Sequence, residues 1–187
     1  DLNPTARMIA EAKTRDYDTE QLESDKESFL DGIAEQLAGV SGYEGFEEPE
    51  MVSFERLERW FPSRTIGEIC TCMERVSMIE DNISRTFISV ALSECLRLVS
   101  YQRNGEFKLY RIREDQREGH YVPLLPLLEA RLERNLAGCV AFCEKAVPGT
   151  TASVFGFNTV ETGGTENLRS SGGTGAPDLV VTSPPYG

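Results

Sequence analysis

The residues best suited to chemistry stand together near the end of the chain. Ser183, Pro184, Pro185 and Tyr186 put a hydroxyl, a proline carbonyl with no competing N–H beside it, and an aromatic ring into four consecutive positions. That set offers two hydrogen-bond acceptors and a stacking surface. The residues before it say how it would be held. Leu179 to Val181 is a short apolar run with the length and β-branching of a buried parallel strand. The two prolines stop that strand, because they cannot donate to a ladder and each pushes its predecessor toward an extended conformation. The chain is therefore expected to leave a sheet as a stiff tongue past the carboxyl end of a strand, where open α/β sheets put their ligands.

Thr182-Ser183-Pro184-Pro185-Tyr186 resembles the catalytic motif of S-adenosylmethionine-dependent amino-methyltransferases acting on DNA bases. Their pattern is Ser, Asn or Asp, then Pro-Pro, then an aromatic residue. The resemblance implies that Ser183, Pro184, Pro185 and Tyr186 are the catalytic residues. An exocyclic amino nitrogen is a poor nucleophile because its lone pair is delocalised into the ring. Acceptors at Ser183 Oγ and the Pro184 carbonyl would draw it toward tetrahedral geometry by positioning and oriented dipoles. Tyr186 would stack on a base flipped from the duplex, offsetting part of an extrusion cost of about a few kcal/mol. Serine at the first position favours cytosine N4 by association. Adenine N6, guanine N2 of RNA, and a helical DNA-recognition fragment or remnant without activity are the alternatives. The resemblance further implies S-adenosyl-L-methionine as cofactor, double-stranded DNA as substrate, a cognate restriction endonuclease as partner, and a cytoplasmic setting.

At the other end, Asn3 is a good N-cap and Pro4 a good first helical residue, which predicts a helix to about Thr14. Asp1 by itself equally suits an ordinary helix start. Beside the downstream tongue it resembles the second methyltransferase motif, in which a carboxylate ending strand two binds the cofactor ribose. Thr151 to Phe157 reads as a strand, and in that fold it would be strand three, with Asn158 at its end as the polar residue near the cofactor adenine. The Gly-rich cofactor loop would precede residue 1. The chain is thus expected to be a fragment cut at both ends, unable to bind the cofactor appreciably by itself. By family the fold class is α/β, a Rossmann-like methyltransferase. The fragment is expected to be mostly α-helical, with a few parallel strands near its C-terminus. Residues 1–15 would belong to the cofactor-binding subdomain, 16–148 to a helical insertion that recognises DNA, and 149–187 to strands three and four with the tongue.

A net charge of −12 looks wrong for a DNA enzyme, but it is local. Residues 16–58 hold fourteen acids and two bases, and the remainder balances. From Arg97 to Arg117 six basic residues face three acidic ones. Within that run Asn104-Gly105 signals a turn, and Phe107 to Ile112 suggests a short strand or an extended arm. Arg103, Lys108, Arg111 and Arg113, interleaved with Tyr110, suit contact with DNA phosphates. A solvated hairpin is the equal alternative. The run from Trp60 through this arm also looks like the helical insert of bacterial site-specific DNA methyltransferases of the N4-cytosine/N6-adenine group.

Five cysteines without the spacing of a small secreted domain suggest a reducing compartment. Cys70-x-Cys72 and Cys139-x3-Cys143, with His120 the sole histidine, read as small apolar residues, so no metal is expected. No cysteine follows a proline in the manner of cytosine-C5 methylation. No run of about 18 apolar residues exists to span a membrane. The glycine-rich stretch 162–175 lacks the Lys-Ser/Thr of a phosphate loop and reads as a mobile surface loop.

Helical periodicity marks the middle. Leu22, Phe29, Leu30, Ile33 and Leu37 predict an amphipathic helix over 19–38. Ser63 is expected to cap a helix presenting Ile66, Ile69, Cys70, Met73 and Val76. The stretch 80–100 is apolar on more than one face and should lie centrally. Pro123 and Pro126 start a helix to about Ala146, with a stripe of Leu125, Leu128, Leu132, Leu136, Cys139 and Cys143.

Overall fold

Helix α1, Pro4–Thr14, opens as its sequence predicts: Asn3 Oδ1 accepts from the N–H groups of Thr5 at 2.9 Å and Ala6 at 3.3 Å. It is seen in a computed structural model that describes residues 3–42, 44, 57–103, 105, 108 and 110–156. The chain divides into two compact units, Asp1–Thr14 with Thr151–Gly187, and Arg15–Thr150.

The second unit is built from α2 (Thr19–Gly39), α3 (Ser63–Ser77), α4 (Asn82–Val99) and α5 (Leu124–Lys145). Each of these four helices touches the other three. Asp18 caps α2 by accepting from Gln21 N at 3.1 Å, and Asp81 caps α4 by accepting from Ser84 N at 2.6 Å. The same bond from Ser84 holds the Asp81 carboxyl below the usual carboxylate range. The core draws Leu22, Phe29, Ile33 and Leu37 from α2 and Leu124, Leu128, Leu132 and Leu136 from α5. Both sets recur at steps of three or four residues, so each forms one stripe. Helix α4 supplies Phe87, Ile88, Ala91, Leu92, Cys95 and Val99 on a broader front, as a central helix must. Each Leu, Ile, Val or Phe among them, fully buried, contributes about 1.5–3 kcal/mol.

Three expectations are corrected. Ser63 does not cap α3: Pro62 occupies the cap position, Ser63 is the first helical residue, and no side chain caps that end. The α3 face is also turned relative to the apolar pattern. Thr65, Glu68, Thr71 and Cys72 are buried with Ile66 and Val76, while Ile69 and Met73 are only partly covered. Thr71 Oγ1 satisfies itself on the Gly67 carbonyl at 3.0 Å, so a polar side chain can occupy that face. Finally, residues 151–156 form no strand, and no parallel strand occurs among the described residues. A strand exists only where a neighbour completes its ladder, and no described segment pairs with this one. The described chain is mostly helical, and Leu179 to Val181 lie outside it.

The described cysteines are all free thiols, with Cys72 and Cys95 buried and Cys70, Cys139 and Cys143 half-buried. Burial pushes the Cys72 thiol up to about 12 and the Cys95 thiol up to about 11, the opposite of an activated nucleophile. Among the described residues there is no group of His, Cys, Asp and Glu that could hold a metal, and no helix is long and apolar enough to cross a membrane.

Candidate nucleic-acid interface

Of the residues expected to act, Ser183, Pro184, Pro185, Tyr186, Asp1 and Asn158 lie outside the described residues. Arg103, Lys108, Arg111 and Arg113 lie within them, on the connection between α4 and α5.

Three short segments are tied together there by backbone hydrogen bonds. Tyr101 N donates to the Trp60 carbonyl at 2.8 Å, Ile112 N to the Tyr101 carbonyl at 2.7 Å, and Arg103 N to the Tyr110 carbonyl at 2.7 Å. Gln102 and Arg111 form an isolated antiparallel bridge. Gly105 turns the chain at φ +92°, in the left-handed region that glycine enters without strain. The expected arm is therefore a bridged hairpin anchored on the segment before α3.

Arg103, Lys108 and Arg113 are exposed, as phosphate contacts must be. Arg113 makes a two-pronged pair with Asp115, Nε to Oδ1 at 3.1 Å and Nη2 to Oδ2 at 3.0 Å. Both partners are exposed, so exchanging this carboxylate for a phosphate costs about 0–1 kcal/mol. Arg111 is held more firmly. Its guanidinium lies 5.6 Å from the Trp60 ring centroid, and Nη1 donates to the Arg59 carbonyl at 3.2 Å.

Sequence reasoning passed over two further arginines. Arg117 donates Nε and Nη2 to the Ile112 carbonyl at 3.2 and 3.1 Å, with its guanidinium 6.0 Å from the Tyr101 ring centroid. Arg59 is exposed in the 3₁₀ turn Leu57–Arg59. The Arg111 pKa is lowered by desolvation first and then by repulsion from Arg59 and Arg117, with Glu114 opposing. Arg59 and Arg117 thus both lie near enough to act on Arg111. Arg59 adjoins the acidic block, so a charge count along the chain assigns it to the wrong neighbourhood.

A different kind of site lies between α3 and α5. Glu68 is 3% exposed, and its carboxylate accepts from the Tyr121 hydroxyl and, at 3.4 Å, from Leu124 N. Arg64 completes the cluster, with Nε 3.5 Å from Glu68 Oε1 and its guanidinium 4.3 Å from the Tyr121 ring centroid. Burial, then the bond to Glu68, pushes the Tyr121 phenol up to about 12. Every partner here is internal, which makes this a structural tie. A cleft of about 440 Å³ is lined by Asp25, Glu80 and Asp81 against Arg75, with Phe29 and Ile79 at its wall. Three carboxylates against one guanidinium repel a phosphate.

No family model matches the chain, and no solved structure matches it. The chain is similar along its whole length to the Type II methyltransferase M.MvaI of Kocuria varians, with 28% identity, and it spans 40% of that relative's own length.

Proposed function

We propose that this chain is part of a site-specific DNA methyltransferase that moves a methyl group from S-adenosyl-L-methionine to the exocyclic N4 of cytosine. Whole-chain similarity to a Type II methyltransferase is the observation that carries the reading. Ser183-Pro184-Pro185-Tyr186 supports the amino group as acceptor, and the basic hairpin supports duplex DNA as substrate.

When bound, the cofactor supplies an electrophilic methyl on a sulfonium. The chain's own residues do the rest. Ser183 Oγ and the Pro184 carbonyl accept hydrogen bonds from the amino group of the flipped base and turn its lone pair out of the ring plane. The nitrogen would then be placed to take the methyl carbon as its bond to sulfur breaks, the sulfur leaving as a neutral thioether and the amino proton passing to solvent. Pro185 stiffens the tongue, and Tyr186 stacks on the base. Asp1 and Asn158 are assigned to the cofactor ribose and adenine. Arg103, Lys108, Arg111 and Arg113 hold the phosphate backbone and set register without reading bases. Nucleoside analysis of duplex DNA treated with the intact protein and cofactor tests this reading. N4-methylcytosine supports it, and a DNA without new methyl groups overturns it.

A further inference from the structure

The guanidiniums of Arg111 and Arg117 each lie by an aromatic ring and are each pinned by a backbone carbonyl. The two platforms, Trp60 and Tyr101, are themselves joined by the bond from Tyr101 N to the Trp60 carbonyl. Arg59 stands one residue from Trp60, and its side chain makes no hydrogen bond or ion pair with any described residue. Among the described residues none of these three arginines pairs with a carboxylate. Carbonyl acceptors fix a guanidinium without neutralising it, so the charge stays available. Arg59 and Arg117 repel Arg111, which after desolvation lowers its pKa against the pull of Glu114, and an anion joining the three would relieve that repulsion. Arginine is also the residue type whose planar fork matches phosphate geometry.

We propose that Arg59, Arg111 and Arg117, set by Trp60 and Tyr101, form a preorganised site for one phosphodiester of duplex DNA. This rests on the DNA methyltransferase reading and adds two arginines and a fixed platform to its substrate grip. A duplex backbone is favoured over a small anion because the site is continuous with the exposed Arg103 and Lys108 of the same hairpin. The site positions DNA and reads no base.

Trp60 is the sole tryptophan of these 187 residues, and the part of the emission change that Trp60→Phe removes reports on this site. Titrating the intact protein with a short duplex should change Trp60 emission with the same midpoint as binding followed by a label on the DNA. Inorganic phosphate at the same concentration should leave the emission unmoved. An equal response to inorganic phosphate would overturn the duplex assignment. Arg59→Gln removes a side chain with no internal hydrogen bond and leaves the fold alone. It should weaken binding severalfold for every duplex sequence. Replacing all three arginines by Gln should weaken binding roughly tenfold or more. It should also flatten the slope of log affinity against log salt by about 0.9, the value for one phosphate. Arg134→Gln, a cation paired with Glu94 at 2.5 Å, should do neither. An unchanged slope in Arg59→Gln and in the triple variant, with methyl transfer intact, overturns this site and spares the function. Tighter binding of a hairpin RNA, lost in the same variants, overturns the duplex as ligand. Adenine methylation with the salt effect preserved removes the cytosine assignment and keeps the site.

Discussion

Glu68 of α3 caps helix α5: its carboxylate accepts from Leu124 N at 3.4 Å, at a helix end where Pro123 leaves no side-chain cap of its own. A buried carboxylate at a helix N-terminus meets unsatisfied N–H groups and the positive end of the helix dipole. Glu68 also accepts from the Tyr121 hydroxyl, so one side chain joins α3, α5 and the segment between α4 and α5.

Glu68→Ala strands the Leu124 N–H and the Tyr121 hydroxyl. An orphaned buried group costs about 1–3 kcal/mol and the half-buried Tyr121 hydroxyl less, so the variant should lose about 1–4 kcal/mol. Glu68→Gln keeps an acceptor and should lose less. Urea unfolding followed by circular dichroism reads the difference, and a midpoint unchanged in Glu68→Ala would show that water replaces the tie.

Two tyrosines should ionise late. Burial pushes the Tyr17 phenol up to about 12, and burial with the Glu68 bond does the same for Tyr121. The folded values lie above the ordinary 10.0, so the fold favours the neutral phenols. That contribution is complete below pH 10 and is lost as pH climbs through about 12. A tyrosinate absorbance titration should contain a late component that shrinks in Tyr17→Phe and again in Tyr121→Phe. A titration complete before pH 11 would contradict both placements.

Glycines at two helical positions should respond with opposite signs. A Cβ at Gly67 would fall 2.3 Å from the Gly42 carbonyl oxygen and 2.8 Å from Val40 Cγ1, because the chain after α2 lies directly on α3. Gly67→Ala should cost about 1–3 kcal/mol, since backbone must move. Gly138, inside α5, has nothing within 4 Å of the same position, so Gly138→Ala should gain about 0.5–1 kcal/mol of helix propensity. Thermal melts of the two variants should shift in opposite directions, and a shared direction would refute the packing of the 40–42 segment on α3.

The exposed arm makes a separate prediction. Replacing Arg103, Lys108, Arg111 and Arg113 together by Gln should weaken cognate and non-cognate duplexes alike and flatten the salt slope by about two to four. Sequence preference should survive. Selective loss of cognate binding would place these residues in a groove and not on phosphates.

Much of the helical structure was legible in the chain. Asn3-Pro4, the α2 stripe and the Leu128-Leu132-Leu136 ladder locate three helices, because local caps and a 3.6-residue period depend only on neighbours in sequence. What failed depends on distant partners. Lys26 sits on the buried face of α2 at 3% exposure because Glu133, 107 residues away, takes its ammonium at 2.6 Å. A polarity pattern places Lys26 in solvent. Glu68 is hidden for the same reason. The 151–156 segment carries strand-forming residues, yet β structure is made by a partner and not by composition. In the candidate interface, Arg103, Lys108, Arg111 and Arg113 were found from charge balance and a turn signal. Arg59 and Arg117 join them only through the Trp60–Tyr101 hydrogen bond, which no spacing reveals.

The most direct measurement is the identity of the methylated base. The intact protein, S-adenosyl-L-methionine bearing a labelled methyl, and duplexes of varied sequence should yield labelled N4-methylcytosine on digestion. Ser183→Ala should lower kcat by orders of magnitude while duplex affinity stays near that of the unaltered protein, because the lost acceptor acts mainly in the transition state. N6-methyladenine as the sole product would contradict the cytosine assignment. Methyl transfer unaffected by Ser183→Ala would contradict the central claim that the Ser183–Tyr186 tongue activates the amino group.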